Sequence, residues 1–417
     1  MSNTVEAVLA YLGLWEAEIP FALTDAAIDQ PRLDELARRY RPSLLIGYST
    51  LPDGFVSAGD VCGLPLSRRV DGAVVPAHPE LRLLLATSGS TGSPRFVRLS
   101  GAAVVSNAEQ IVAALALGPS ERAVSSLPLH YSFGLSLLNS HLVCGGSLLV
   151  TAEGILSATF WDSVNRHQCT SFSGVPYSYE LLRRMRFATM NIPTVRTLTQ
   201  AGGRLSPEHI TEFHRIMTER GGQFVVMYGQ TEAAARIAVL PSASLPEKLG
   251  SAGRALPRAR LTVVDDAGQP VTGTDTGEVV YEGPNVMMGY AEAAEDLARG
   301  DDSHGRLFTG DLGFVDPEGF LFITGRRKRI AKVVGFRLNL DEVEAMLAGT
   351  GRAAVVEAGP GIVVYCEGWS DAAMADARTG LAKSLKLHAS LLSFKALERL
   401  PTLPSGKLDY ASLREVA

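Results

Sequence analysis

Between residues 81 and 230, short apolar runs alternate with longer amphipathic stretches. Leu81–Ala86 (LRLLLA) has the texture of a buried strand, and residues 101–118 (GAAVVSNAEQIVAALALG) that of a helix. RAVSSLPL, GGSLLVTA, TSFSGV, VRTLTQAG and QFVVMYG then repeat the strand-like pattern. Among the intervening segments, SPEHITEFHRIMTERGG carries helical periodicity, with Ser206 as N-cap and Pro207 at the first helical position. This alternation predicts an α/β fold: a largely parallel sheet with helices on both faces. Ligands of such sheets bind at the loops beyond the strand carboxyl ends. Residues 87–95, 202–204 and 229–232 all fall at such ends.

The pattern changes after about residue 250. ARLTVVDDAGQPVTGTDTGEVVYEGP alternates apolar and polar positions, broken by the turn signals DAG and GTDTG. Antiparallel strands, in a small β-barrel-like part, are predicted there. From Gly325 onward a mixed α+β segment leads to the loop PTLPSGKLDY and a short helix. A chain of 417 residues exceeds what one compact core usually supports, so two domains are expected.

Composition adds mainly exclusions. A formal net charge of −5 gives no reason to expect a nucleic-acid partner, so any phosphate binding must come from local clusters. Cys62, Cys144, Cys169 and Cys366 lie far apart with no CxxC pair. That spacing fits a reducing compartment and argues against a disulfide framework or a cysteine zinc site. The start, MSNTVEAVLAYLGLWEAE, lacks a basic region before its apolar residues and carries Glu6 and Glu16. It does not read as a signal peptide, and no apolar run is long enough to span a bilayer. A cytoplasmic protein with no membrane partner is expected.

The stretch TSGSTGSPR crowds hydroxyls and glycines ahead of a cation. Gly89 and Gly92 let the backbone aim N–H groups at one point, and Thr87, Ser88, Ser90 and Thr91 add hydroxyls. Such a concave donor set suits phosphate oxygens, with Arg95 adding charge and a planar fork. A Ser/Gly turn between two strands is the alternative. The P-loop of NTPases does not fit: the glycines are too close, Pro94 follows, and RFVRLS reads as a strand rather than a helix.

Together with the motifs downstream, this stretch resembles the phosphate loop of the adenylate-forming superfamily, which includes acyl-CoA synthetases, peptide-synthetase adenylation domains and firefly luciferase. The family form usually ends in Lys where this chain has Arg95. The resemblance runs from residue 81 to the end. It implies a large N-terminal domain (1–325) of mostly parallel sheets flanked by helices, and a small mobile α+β domain (326–417). It also implies that part of the N-terminal subdomain is absent, since only 86 residues precede Thr87.

The resemblance assigns roles to residues motif by motif. LPLHYSFGLS resembles the loop bordering the acyl pocket, with His130 and Phe133 as lining and Gly134 leaving room for substrate. No acid lies between Pro128 and Asn139, whereas domains taking amino acids carry an Asp there. A buried ammonium would need a partner, so a fatty, branched or aryl acid is expected instead. TQAGGRLS resembles the adenine-pocket loop, with Gly202 and Gly203 permitting close approach. In MYGQTEAA, Tyr228 would stack on adenine beside Gly229, Thr231 would contact the α-phosphate, and Glu232 would hold Mg²⁺. Arg236, one helical turn beyond Glu232, would either salt-bridge locally or meet an acid group of the substrate.

FTGDLGFVD supplies Asp311 for the ribose hydroxyls. In GRRKRIAKVVGFRLNLDEVE, Arg326 would reach ribose or phosphates, Lys328 marks the pivot of the small domain, and Gly335 would line the pantetheine passage. Arg326, Arg327, Lys328, Arg329, Lys332 and Arg337 fall without one acid between residues 326 and 337, which suggests a phosphate-facing role between the domains. PTLPSGKLDY resembles the loop carrying the adenylation lysine, Lys407. The implied reaction uses ATP and Mg²⁺ to make an acyl-adenylate, then passes the acyl group to the thiol of CoA or of a carrier protein's phosphopantetheine arm. Direct transfer to an amine, or a non-catalytic binding role, are the alternatives.

Overall fold

The structure, a computed structural model, describes residues 1–86, 95–271, 273–333, 336–359, 361–385, 387–403 and 407–417. Two compact units divide the chain. One comprises Met1–Arg260 with Tyr281–Leu307; the other comprises Leu261–Val280 with Phe308–Ala417.

The larger unit is built on a seven-stranded sheet. Its order is Arg254–Ala255, Ala238–Leu240, Gln223–Tyr228, Thr197–Gln200, Ser171–Gly174, Arg122–Val124 and Ser147–Leu149. The last five are mutually parallel, and the first two add antiparallel at the edge. Ser171–Gly174 and Thr197–Gln200 are buried at every position, as parallel strands covered on both faces must be. The helix Pro207–Glu219 packs here through Phe213, whose ring meets Tyr179 at 4.9 Å. The Tyr179 hydroxyl donates to the Thr199 carbonyl at 2.7 Å, so its buried polar end is satisfied. Ser206 caps the helix by accepting from His209 N at 3.3 Å, as its sequence predicts.

Leu81–Ala86 does not join this sheet, contrary to the single alternation read from the sequence. It pairs parallel with Phe21–Leu23 and antiparallel with Phe96–Ser100, and Gly289–Ala291 completes a second, four-stranded sheet. Connection length accounts for the antiparallel pairing with Phe96–Ser100. Residues 87–95 are fewer than the roughly dozen needed for a crossover between parallel neighbours, so the chain folds back on itself. Fully buried Arg98 ties this sheet to the 288–302 segment. It donates to the Met288 carbonyl at 2.9 Å, to the Gly300 carbonyl at 3.1 Å and to Asp302 at 2.6 Å.

The smaller unit opens with strands where antiparallel strands are predicted after residue 250; they form a four-stranded sheet in the order Arg260–Val264, Gly277–Glu282, Arg306–Val315, Leu321–Arg326. An antiparallel pair, Ile330–Val333 with Phe336–Asn339, follows, then the helix Leu340–Leu347. A three-stranded sheet (Ala353–Ala358, Gly361–Glu367, Leu392–Leu397) carries the helix Asp371–Leu385 as its crossover. Val343, Leu347, Val355, Val364 and Leu381 form the core between helices and sheet. The fold is mixed α/β, with a small α+β C-terminal part, as expected.

Candidate active site

The strand Gln223–Tyr228 delivers the chain to Gly229 and a single 3₁₀ turn, Thr231–Ala233. A Cβ on Gly229 would lie 1.8 Å from the Ala235 carbonyl oxygen, so the backbone closes on itself here as only glycine allows. Ala234 (φ 50°) and Ala235 (φ 112°) then reverse the chain through the left-handed region, which non-glycine residues seldom enter. Asn285 holds the reversal from outside, donating to the Ala233 and Arg236 carbonyls at 2.8 and 2.9 Å. Met287 N donates to the Glu232 carbonyl at 2.9 Å.

This loop presents two of the expected catalytic residues. Thr231 Oγ1 lies 3.1 Å from Ser132 Oγ, and Glu232 Oε1 accepts from the Tyr290 hydroxyl at 2.8 Å. The Arg95 guanidinium sits over the Tyr290 ring, 3.8 Å from its centroid. Arg95 and Glu232 thus meet through one tyrosine. Burial, reinforced by the Glu232 carboxylate, pushes the Tyr290 hydroxyl well above its usual range, so Tyr290 acts as a donor. Arg95 Nε is buried with no hydrogen-bond partner among the described residues. Thr87, Ser88, Gly89, Ser90, Thr91 and Gly92 lie outside the described residues.

The acyl-loop residues separate. Phe133 is buried against Val175, Ala201 and Met227, with Tyr131 at the cluster's edge. Gly202 (φ 84°) lies over the same group: a Cβ there would meet the Tyr131 hydroxyl at 2.9 Å and Val175 at 3.1 Å. Gly203 abuts Pro176, and its carbonyl accepts from Gln200 at 2.8 Å. Gly134 differs from expectation. A Cβ there would lie 2.2 Å from the Pro128 carbonyl oxygen, so the missing side chain makes room for backbone, not substrate. His130 is engaged by Asp25 at 3.8 Å and the Met1 carbonyl at 3.3 Å. Arg236 makes no ion pair with Glu232. The 3₁₀ turn ends before it, and the side chain is buried over the Phe133 ring at 4.0 Å.

In the smaller unit, Asp311 and Arg326 face each other across antiparallel strands, and Arg326 Nε donates to Asp311 Oδ1 at 3.0 Å. Asp311 is 2% exposed while Arg326 stays largely exposed. The cationic run is not uniformly phosphate-facing. Arg327 pairs with Glu278 and Asp266, and buried Arg329 binds Asp341 and Glu344. Asp266 and Glu278 come from distant sequence, and Asp341 and Glu344 from the helix just beyond the run, so the lack of acids within the run misleads. Lys328 lies in the 3₁₀ turn Arg327–Arg329, and Gly335 lies outside the described residues. The Lys407 carbonyl accepts from Leu403 N at 2.8 Å, and Thr402 bridges Leu408.

A profile described as AMP-binding enzyme matches residues 1–291. A sulfoacetate–CoA ligase of Cupriavidus necator is 32% identical, with the match covering 95% of this chain and 76% of that one. The chain belongs to the AMP-binding enzyme family. An indoleacetate–CoA ligase of Aromatoleum aromaticum is 30% identical over 76% of this chain and 62% of its own. The Bacillus subtilis O-succinylbenzoate CoA synthetase, solved with AMP, shares the fold at a TM-score of 0.65 and 28% identity, covering 80% of this chain and 68% of that one. The adenylate-forming resemblance carried by the motifs is correct.

Sequence reading of this AMP-binding enzyme missed Tyr290, Ser132 and Asn285. Tyr290 reaches Arg95 only because Gly289–Ala291 pairs with the strand that Arg95 leads into, a register of Tyr290 against Val97. No local pattern carries that information. Among the described residues no helix is long and apolar enough to cross a membrane, and no group of three or more His, Cys, Asp or Glu is arranged to hold a metal.

Proposed function

We propose that this enzyme uses ATP to convert a carboxylic acid into an acyl-adenylate with release of pyrophosphate, then transfers the acyl group to the thiol of CoA. The observation that carries the proposal is the Arg95–Tyr290–Glu232 arrangement, in which Glu232 follows the carboxyl end of the strand Gln223–Tyr228. A buried guanidinium nitrogen with no partner among the described residues fits a phosphate oxygen. One carboxylate beside two hydroxyls fits Mg²⁺ that takes its remaining ligands from phosphates and water, so Glu232 would hold the ion. Bound there, Mg²⁺ would neutralise charge on the triphosphate.

The carboxylate of the acid attacks the α-phosphorus, the bond to the bridging oxygen breaks, and pyrophosphate departs with its electron pair. Catalysis of this kind is positioning and charge neutralisation rather than covalent chemistry by the protein. Arg95 supplies positive charge, Thr231 a hydroxyl toward the α-phosphate, and Tyr290 keeps Glu232 oriented. Tyr228, with Gly202, Gly203 and Gly229, would border the adenine, and Asp311 with Arg326 would take the ribose hydroxyls. Lys407 would serve adenylation, with Lys328 as pivot and Gly335 on the acceptor passage. The named relatives are CoA ligases, which favours CoA over a carrier protein.

ATP–pyrophosphate exchange driven by a panel of acids, with and without CoA, tests this. Acid-dependent exchange and acyl-CoA formation are expected. Lys407→Ala should lose exchange strongly while still forming thioester from supplied acyl-adenylate. Equal loss in both half-reactions would remove the assigned role of Lys407, and absence of exchange would remove the whole proposal.

A further inference from the structure

Building on that reading, we infer that the acid activated here carries a second anionic group, a carboxylate or sulfonate, which Arg236 receives.

Arg236 is 1% exposed. Its Nη2 donates to Ser136 Oγ at 3.2 Å, its Nη1 to the Ala235 carbonyl at 3.2 Å, and its Nε meets Met227 Sδ at 3.4 Å. All three acceptors are neutral, one is a weakly accepting thioether, and a guanidinium has five N–H groups to place. The contrast with this protein's other buried arginines is informative. Arg98 holds Asp302, and Arg329 holds Asp341 and Glu344. Arg236 has no carboxylate among the described residues, and none of the residues outside that set is acidic.

Burial lowers its pKa to about 10, so the side chain remains cationic at neutral pH. A buried charge without a counter-charge is costly, and a protein retaining one gains when an anion arrives. The backbone is organised to keep it there. The turn at Ala234 and Ala235 directs Arg236 away from Glu232, and Asn107 and Asn285 both donate to its carbonyl, at 3.1 and 2.9 Å.

Its surroundings locate the anion. The guanidinium lies over Phe133, which packs with Val175 and Met227, and Gly202 touches Tyr131 and Val175 of the same group. These residues flank the proposed acyl site. The planar fork of arginine matches the paired oxygens of a carboxylate or sulfonate. The distal end of the acid, not the reacting carboxylate, would therefore meet Arg236.

The test is ATP–pyrophosphate exchange with acids matched in size: glutarate against pentanoate, 3-sulfopropanoate against butanoate, and 4-carboxyphenylacetate against 4-methylphenylacetate. Wild-type enzyme should favour the dianionic member of at least one pair by roughly 100-fold in kcat/KM. Arg236→Met should abolish that preference through a larger loss with the dianionic member than with the neutral one, and Arg236→Lys should restore part of it. Wild-type exchange driven equally well by neutral members overturns the inference alone, and that arm decides even if Arg236→Met fails to fold. Equal loss with both members of a pair in Arg236→Met also overturns it, by making Arg236 a structural residue. Absence of exchange with every acid overturns the adenylation reading together with this inference.

Discussion

Tyr290 donates its hydroxyl to Glu232 at 2.8 Å while carrying the Arg95 guanidinium on its ring face at 3.8 Å. One side chain thus spaces a cation from an anion that would otherwise neutralise it. On the proposed reading, Arg95 would be left for phosphate and Glu232 for Mg²⁺, because each is held by an uncharged partner.

Tyr290→Phe keeps the ring under Arg95 and removes only the hydroxyl. Loss of one hydrogen bond to an ionised group corresponds to about 1.5–3 kcal/mol. Adenylation kcat/KM should fall roughly 10- to 100-fold, with a shift to higher Mg²⁺ requirement and little change in melting temperature. Pyrophosphate exchange at varied Mg²⁺ measures this. An unaltered Mg²⁺ dependence would show that the hydroxyl does not orient Glu232.

Three residues after Lys407, Tyr410 is fixed by two charged groups. Its hydroxyl donates to Glu344 at 2.9 Å, and Arg329 lies over its ring at 3.9 Å. The loop bearing Lys407 is therefore anchored on its C-terminal side to the helix Leu340–Leu347. Tyr410→Phe should cost about 1–2 kcal/mol of stability. It should also lower kcat for adenylation while leaving KM for the acid and thioester formation from supplied adenylate unchanged. A parallel fall in both half-reactions would mean the contact is merely structural.

Much of this was legible along the chain. Strands at 81–86, 171–174, 197–200 and 223–228 and the capped helix at 207–219 follow from apolar periodicity and Ser206-Pro207. The pairing of Asp311 with Arg326 was reached only as two separate motif positions, since strand register decides it. Arg329 was misjudged for a similar reason: its acids, Asp341 and Glu344, sit on a helix beyond the cationic run. Gly134 shows the remaining limit. Its sequence context suggests space for a ligand, but packing against Pro128 fills that space.

Gly229→Ala should be among the most damaging small substitutions. The added methyl would lie 1.8 Å from the Ala235 carbonyl oxygen and 2.7 Å from its carbon, both backbone atoms that cannot rotate away. Relief requires opening the Thr231–Ala235 reversal. A stability loss of about 4 kcal/mol or more is expected, a size reserved for backbone or core disruption. Urea midpoints measure it, and a loss under about 1 kcal/mol would mean the reversal is pliable.

Stability should also fall with acidification, and His141 identifies one cause. It is 3% exposed; Nδ1 donates to the Leu137 carbonyl at 2.8 Å, and Nε2 is buried with no partner among the described residues. Burial lowers its pKa, outweighing the opposing effects of the Leu137 carbonyl and Glu121. The folded state therefore binds fewer protons than the unfolded state, whose histidine titrates near about 6.5. The favourable contribution is complete above that value and declines as pH drops through it, by at most about 1.4 kcal/mol per pH unit for one group. His130 and His209, also lowered chiefly by burial, add in the same direction. Urea midpoints for wild type should decrease from pH 7.5 to 5.0, and His141→Leu should show a shallower decline over that interval. Parallel pH profiles for the two proteins would mean that His141 titrates normally in the folded state.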